Sequence, residues 1–126
     1  MVKKIDHIEL IVSDAEETRE FLERLGMEVH RETDHHGKSY ELKPTGQDRP
    51  LIEIHTAIEE EAPGLNHIAF LVDELEETTK SLEEAGVTID EGPHTFGPTG
   101  RTKSDIRDND GRRFQLVLDK ESDDGE

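Results

Sequence analysis

The sequence predicts an α+β fold of two tandem β-α-β-β-β modules. Three observations carry that prediction. The chain repeats itself without gaps at an offset of 60 residues, its apolar residues alternate with period two in short runs, and each half carries one helical segment ended by a glycine.

The repeat is read first. Asp6-His7-Ile8-Glu9-Leu10-Ile11-Val12 aligns with Asn66-His67-Ile68-Ala69-Phe70-Leu71-Val72. Glu16, Glu17, Thr18, Leu22, Glu23 and Gly26 then meet Glu76, Glu77, Thr78, Leu82, Glu83 and Gly86. Nine identities in the 21 residues from 6 to 26 are hard to reach by chance.

Each half opens with a strand, Ile5–Val12 or Leu65–Val72, rich in β-branched and large apolar residues. A helix follows. Ser13 or Asp14 is the expected N-cap in the first half, with Glu16 or Glu17 completing a capping box, and Asp73 or Glu74 in the second. Phe21, Leu22 and Leu25 form the expected apolar stripe of the first helix, and Leu75, Leu82 and Ala85 that of the second. Gly26 and Gly86 supply the left-handed stop. Three strands complete each half: Met27–Arg31, Lys38–Leu42 and Leu51–Thr56, then Val87–Glu91, Thr102–Arg107 and Arg113–Leu118. His36-Gly37, Thr45-Gly46 and Asn109-Asp110-Gly111 mark turns, the last a strong hairpin signal. Residues 92–100, rich in Gly and Pro, read as a long loop whose end, Gly97–Gly100, has the composition of a substrate-covering lid and equally of any long turn.

The 126 residues make a single domain by size. Module one runs over about 5–58, a solvated linker over 59–64, module two over about 65–118, and an acidic tail over 119–126, of which Glu121–Glu126 is expected to fray. The chain carries 32 acidic and 15 basic residues, a net charge of −17. Nucleic acid and anionic membrane partners are excluded, because neutralising phosphates needs clustered Lys and Arg. No apolar run reaches membrane-spanning length. The acid is spread along the chain, and molar salt would screen its self-repulsion. This suits a halophilic, cytoplasmic protein. There is no Cys, so disulfides and thiolate metal sites are impossible. Met1 to Asp6 run into the first strand with no apolar signal segment.

Strand alternation sorts the side chains into two faces. Ile8, Leu10 and Val12, then Ile52 and Ile54, are assigned to the helix side, as are Ile68, Phe70 and Val72, then Phe114, Leu116 and Leu118. The opposite face takes His7 and Glu9, then Glu53 and His55, and in the second half His67, then Arg113 and Gln115. His7, Glu53, His67 and Gln115 therefore stand at equivalent positions of the two repeats. Two imidazoles, a carboxylate and an amide oxygen suit one borderline divalent ion: Mn, Fe, Co, Ni or Zn. Glu9 shares the His7 face and is a candidate base or supporting group. His55, two residues beyond Glu53, is a candidate to line the mouth. Tyr40 belongs to the core or to a cleft wall. Arg101 and Arg113 are candidates to hold an anionic substrate, with surface ion pairing the alternative.

Asp6-His7-Ile8, Leu51-Ile52-Glu53-Ile54, Leu65-Asn66-His67-Ile68-Ala69-Phe70 and Asp108–Leu116 together resemble the vicinal oxygen chelate superfamily. That group includes glyoxalase I, methylmalonyl-CoA epimerase, extradiol dioxygenases, and fosfomycin and bleomycin resistance proteins. The resemblance covers about Ile5 to Leu118 and implies a curled mixed β-sheet cleft around one metal, with ligands on the first and last strands of each module. It also implies a homodimer and a small-molecule substrate. His7, Glu53 and His67 match directly. Gln115 departs, since many members carry Glu there, acting in the isomerases as ligand and base. An amide accepts no proton near neutral pH, so Glu53, or after it Glu9, takes the base role. The implied activity is a metal-dependent lyase or isomerase of glyoxalase I type on a small oxo-compound. The alternatives are an iron-dependent extradiol-type dioxygenase and a ligand-sequestering protein of bleomycin-resistance type.

Overall fold

In the computed structural model the described residues are 1–34 and 37–119. The polar loop at His35-His36 and the tail at Glu121–Glu126 lie outside them. The fold is α+β, built from eight strands and two helices. The chain divides into two compact units: residues 7–66, and residues 1–6 together with those from 67 onward.

In the first unit, β1 (Val2–Val12) enters from residue 7, followed by α1 (Ala15–Arg24), β2 (Glu28–Thr33), β3 (Ser39–Lys43) and β4 (Leu51–Thr56). The strand order is β2-β3-β4-β1. β1 and β4 run parallel, with His7 opposite Leu51 and Glu9 opposite Glu53, and the other neighbours are antiparallel. A parallel pair needs a crossover, and α1 with β2 and β3 provides it. Asp14 is the N-cap, its Oδ1 accepting from the Glu16 and Glu17 amides at 2.9 and 3.3 Å. The helix stops where Gly26 adopts φ +96°, a conformation open to glycine without strain.

The core under α1 contains Ala15, Tyr40, Leu42 and Ile54, with Leu10, Val12, Leu22, Met27 and Ile52 packed against it. Two residues expected in the α1 stripe are not there. Phe21 and Leu25 are 57% and 66% exposed, leaving Leu22 to anchor the helix. A ten-residue helix has few turns with which to face a narrow core, and only the positions aligned with Ala15 and Leu22 reach it. The polar side of α1 is held by Arg19, which bonds Glu16 and Glu23 and lies over the Tyr40 ring at 5.3 Å.

The second unit repeats the plan with β5 (Gly64–Val72, here from residue 67), α2 (Leu75–Glu84), β6 (Thr88–Phe96), β7 (Arg101–Arg107) and β8 (Arg113–Leu118), in the order β5-β8-β7-β6. β5 and β8 are parallel, with Ala69 opposite Gln115. Val72, Leu75 and Leu116 form the core under α2, with Phe70, Leu82, Ile106 and Leu118 around it. Phe70 and Phe114 stack with ring centroids 5.7 Å apart. Ala85, expected in this stripe, is exposed. Glu74 is the N-cap but makes no side-chain capping bond. Thr79 Oγ1 shares hydrogen bonds with the Leu75 carbonyl at 2.7 Å and Ser104 Oγ at 2.8 Å, tying α2 to β7.

Two boundaries differ most from expectation. β1 begins at Val2 rather than Ile5, and Lys3 Nζ donates to Asp119 Oδ2 at 2.7 Å within the second unit. β6 runs through Gly92-Pro93 to Phe96, with register shifts between Ile89 and Glu91 and between Glu91 and His94. The bulges absorb the Gly-Pro pair without ending the strand. Residues 97–100 are a tight turn closed by Gly100 N–H on the Phe96 carbonyl at 2.7 Å, a hairpin connection and not a lid.

Candidate functional site

In each unit the face away from the helix carries buried polar and ionisable side chains. In the first, His7, Glu9, Glu53 and His55 are all buried, and none belongs to the core beneath α1. Register sets their spacing. Glu53 pairs with Glu9 and is therefore diagonal to His7 on the neighbouring parallel strand. In the second unit His67 and Gln115 stand in the same relation, because Gln115 pairs with Ala69, two residues after His67. The expected equivalence of His7 with His67, and of Glu53 with Gln115, is thus a property of the hydrogen-bonded register. The four are 1, 2, 3 and 5% exposed for His7, Glu53, His67 and Gln115. Burying such polar groups is costly unless each is hydrogen-bonded, ion-paired or coordinated, so their burial demands partners.

Glu9 and His55 are partners. His55 Nδ1 lies 2.7 Å from Glu9 Oε2, and its Nε2 lies 3.1 Å from Glu61 Oε1. Glu61 Oε1 also accepts the Ile58 amide at 2.9 Å, which ties the segment after β4 back to that strand. The Glu9 hydrogen bond raises the His55 pKa above the ordinary histidine value, against the opposing effect of burial. His55 is therefore enclosed between two carboxylates.

The remaining substrate-lining candidates separate. Tyr40 is in the core beneath α1, and its hydroxyl bonds the Glu16 carboxylate. This decides between the two readings of Tyr40 for core and against a cleft wall, because odd positions of β3 face away from α1 and Tyr40 is an even one. Arg101 Nε lies 3.3 Å from Asp6 Oδ2 in the second unit. Arg113 Nη2 is 3.8 Å from Asp105 Oδ1 and is partly exposed.

Two acidic residues on these strands and one in the segment after β4 are not distinguished by the sequence pattern alone. Glu41, with no exposed surface, sits opposite Glu53 in register and is bonded by Arg31 at 2.9 and 3.3 Å. Asp105 occupies the corresponding place opposite Gln115. A partial signal was present: Ser39-Tyr40-Glu41-Leu42 alternates, and Tyr40 and Leu42 on the core side put Glu41 on the other. Glu61 is the third, and no local pattern distinguishes it from Glu59 and Glu60.

Residues 4–116 match the Glyoxalase/Bleomycin resistance protein/Dioxygenase superfamily. The chain belongs to that superfamily, whose members typically bind a divalent metal. Among individual proteins it is 32% identical over 96 residues to the uncharacterized protein YwkD of Bacillus subtilis, covering 69% of this chain and 75% of that one. The fold is shared with methylmalonyl-CoA epimerase from Mycobacterium tuberculosis, at TM-score 0.77 and 21% identity over 93% of this chain and 88% of that one. It is also shared with a variant of homoprotocatechuate 2,3-dioxygenase from B. fuscum, at TM-score 0.72 and 21% identity, where 94% of this chain covers 34% of the longer one. No described helix is long and apolar enough to cross a membrane.

Proposed function

We propose that the chain is a metal-dependent lyase or isomerase of glyoxalase I type, acting on a small oxo-compound. One divalent ion (Mn, Fe, Co, Ni or Zn) would be held by His7, Glu53, His67 and Gln115. The observation that carries this reading is the matched register of the two pairs, with all four side chains buried. The donor set fits such an ion: two imidazole nitrogens, one carboxylate and one amide oxygen, with no thiolate. When bound, the ion polarises the chelating oxygens of the substrate. His7 and His67 bind as neutral imidazoles. Gln115 contributes its amide oxygen and takes up no proton. Glu53 moves the proton at the carbon next to the carbonyl. Glu9, whose carboxylate bonds His55, is the second candidate for that role. The reading includes a homodimer and a cytoplasm of high salt content.

A second reading is supported by the charge of the donor set. With Gln115 neutral, His7, His67 and Glu53 make a two-histidine, one-carboxylate set, the type used by non-haem iron oxygenases. Iron and oxygen-dependent loss of a catechol would favour that chemistry.

Protein purified in molar salt should contain or take up a divalent ion, and His67→Ala should lose one equivalent. Consumption of a methylglyoxal–thiol hemithioacetal should fall about 100-fold or more in Glu53→Gln, the range for loss of a positioned acid–base group. A His67→Ala variant with full metal content would sink the site. If no ion binds on titration, ligand sequestration of bleomycin-resistance type takes the place of both enzymatic readings.

A further inference from the structure

A different group of ligand-type side chains lies wholly within the second unit. Glu91, His94 and Asp105 offer three donor atoms, all within 4.8 Å of one another. Glu91 and His94 come from β6 and flank the second of its two register shifts. Asp105 comes from β7 and pairs with Glu91. Without the bulge, residues 91 and 94 would point to opposite faces of the strand. The shift turns both toward one spot, which is a recognised use of bulges.

Two further features point to a ligand. Asp105 is buried, and its Oδ1 has no hydrogen-bond partner, while Oδ2 accepts from Lys103 Nζ at 2.8 Å. An enclosed carboxylate oxygen left unsatisfied is expensive, and Arg113 Nη2 at 3.8 Å is too far to hydrogen-bond it. The second feature is the tautomer of His94. Its Nδ1 lies 2.9 Å from the Gly92 carbonyl, which can only accept, so Nδ1 carries the proton. That leaves Nε2 as the ligand atom, 3.6 Å from Glu91 Oε1. A backbone carbonyl holding the remote ring nitrogen is the usual support of a metal-bound histidine.

We propose that Glu91, His94 and Asp105 form a second divalent-cation site, one nitrogen and two carboxylate ligands suited to an ion such as Zn2+ or Co2+. Donor atoms around a tetrahedral ion at about 2.0–2.1 Å lie about 3.3 Å apart. The Glu91–His94 separation is already close to this, and side-chain rotation of the exposed Glu91 closes the rest. Lys103 and Arg113 offset part of the carboxylate charge, but the overall charge of −17 favours cation entry. Three protein ligands leave coordination positions open. The site shares no ligand with His7, Glu53, His67 and Gln115, and it stands or falls separately from them.

The test is titration of chelator-stripped full-length protein with Co2+ in molar KCl, read by visible absorption and calorimetry. Wild type should bind two equivalents. Glu91→Gln and His94→Ala should each weaken one binding step about tenfold or more and leave the other unchanged. His67→Ala should retain the Glu91–His94–Asp105 equivalent. A single equivalent that survives His67→Ala but not His94→Ala would support this site and overturn the other. Wild-type stoichiometry and affinity in both Glu91→Gln and His94→Ala would overturn it, as would a single equivalent lost only in His67→Ala. Glu91 is exposed, so its variant keeps the fold and the test stays decisive.

Discussion

His55 Nδ1 and Glu9 Oε2 meet at 2.7 Å on two parallel strands, both side chains shut away from solvent. The pair belongs to the strands that carry His7 and Glu53, so the candidate ligands sit on a backbone cross-linked by a buried hydrogen bond. Removing one partner of a buried, charge-assisted pair costs about 3–5 kcal/mol. His55→Ala should therefore unfold at markedly lower denaturant, by about 3 kcal/mol or more. Chemical denaturation checks this, and a loss below about 1 kcal/mol, the scale of an exposed pair, would contradict it.

The α1 packing makes a paired prediction. Ile54 is fully enclosed and Leu25 is not. Ile54→Ala should cost about 2–5 kcal/mol through lost burial and the cavity left behind. Leu25→Ala should stay within about 0.5 kcal/mol of the parent. Equal losses in the two variants would show that α1 docks on a wider stripe than Leu22 provides.

Asp108 predicts a pH dependence. Its Oδ1 accepts the amides of Arg112 and Asp110, each at 2.9 Å, and organises the turn between β7 and β8. The Arg112 amide is the largest cause holding its carboxyl below the usual aspartate value, with burial opposing. A folded-state pKa below the unfolded one gives stability that is present above the unfolded value and lost as pH falls through the folded value. Asp108→Ala should thus lower the melting temperature at pH 7, and the gap should close under acid. A gap that widens below pH 4 would reverse the sign.

Salt should stabilise the protein. A net charge of −17 on 126 residues repels itself, and the screening length falls from about 10 Å at 0.1 M to about 3 Å at 1 M salt. The melting temperature should rise steadily with KCl over that range. A flat or falling profile would remove the case for a high-salt interior.

Much of this molecule was legible in the chain itself. The offset of 60 residues aligned His7 with His67, and strand alternation separated Ile52 and Ile54 from Glu53 and His55. Both are local periodicities, which survive folding because a strand has only two faces. The α1 stripe was less legible, since Phe21 and Leu25 have the right residue type and only the width of the core decides which of them it covers. β6 continues past the Gly92-Pro93 pair that reads as a loop in the sequence, because an edge strand tolerates a proline through a bulge.

By itself, then, the sequence determined the repeated β-α-β-β-β plan, the paired histidines and the acidic surface. These depend on composition and short-range spacing. Only the tertiary structure decided that Tyr40 belongs to the core, that Glu41 and Asp105 face Glu53 and Gln115 across the strand pairs, and that Glu61 reaches back to His55. It alone brought Glu91, His94 and Asp105 together. The placements of Glu41 and Asp105, and of the Glu91–His94–Asp105 group, depend on register between neighbouring strands, which hydrogen bonding across the sheet sets and no local pattern encodes.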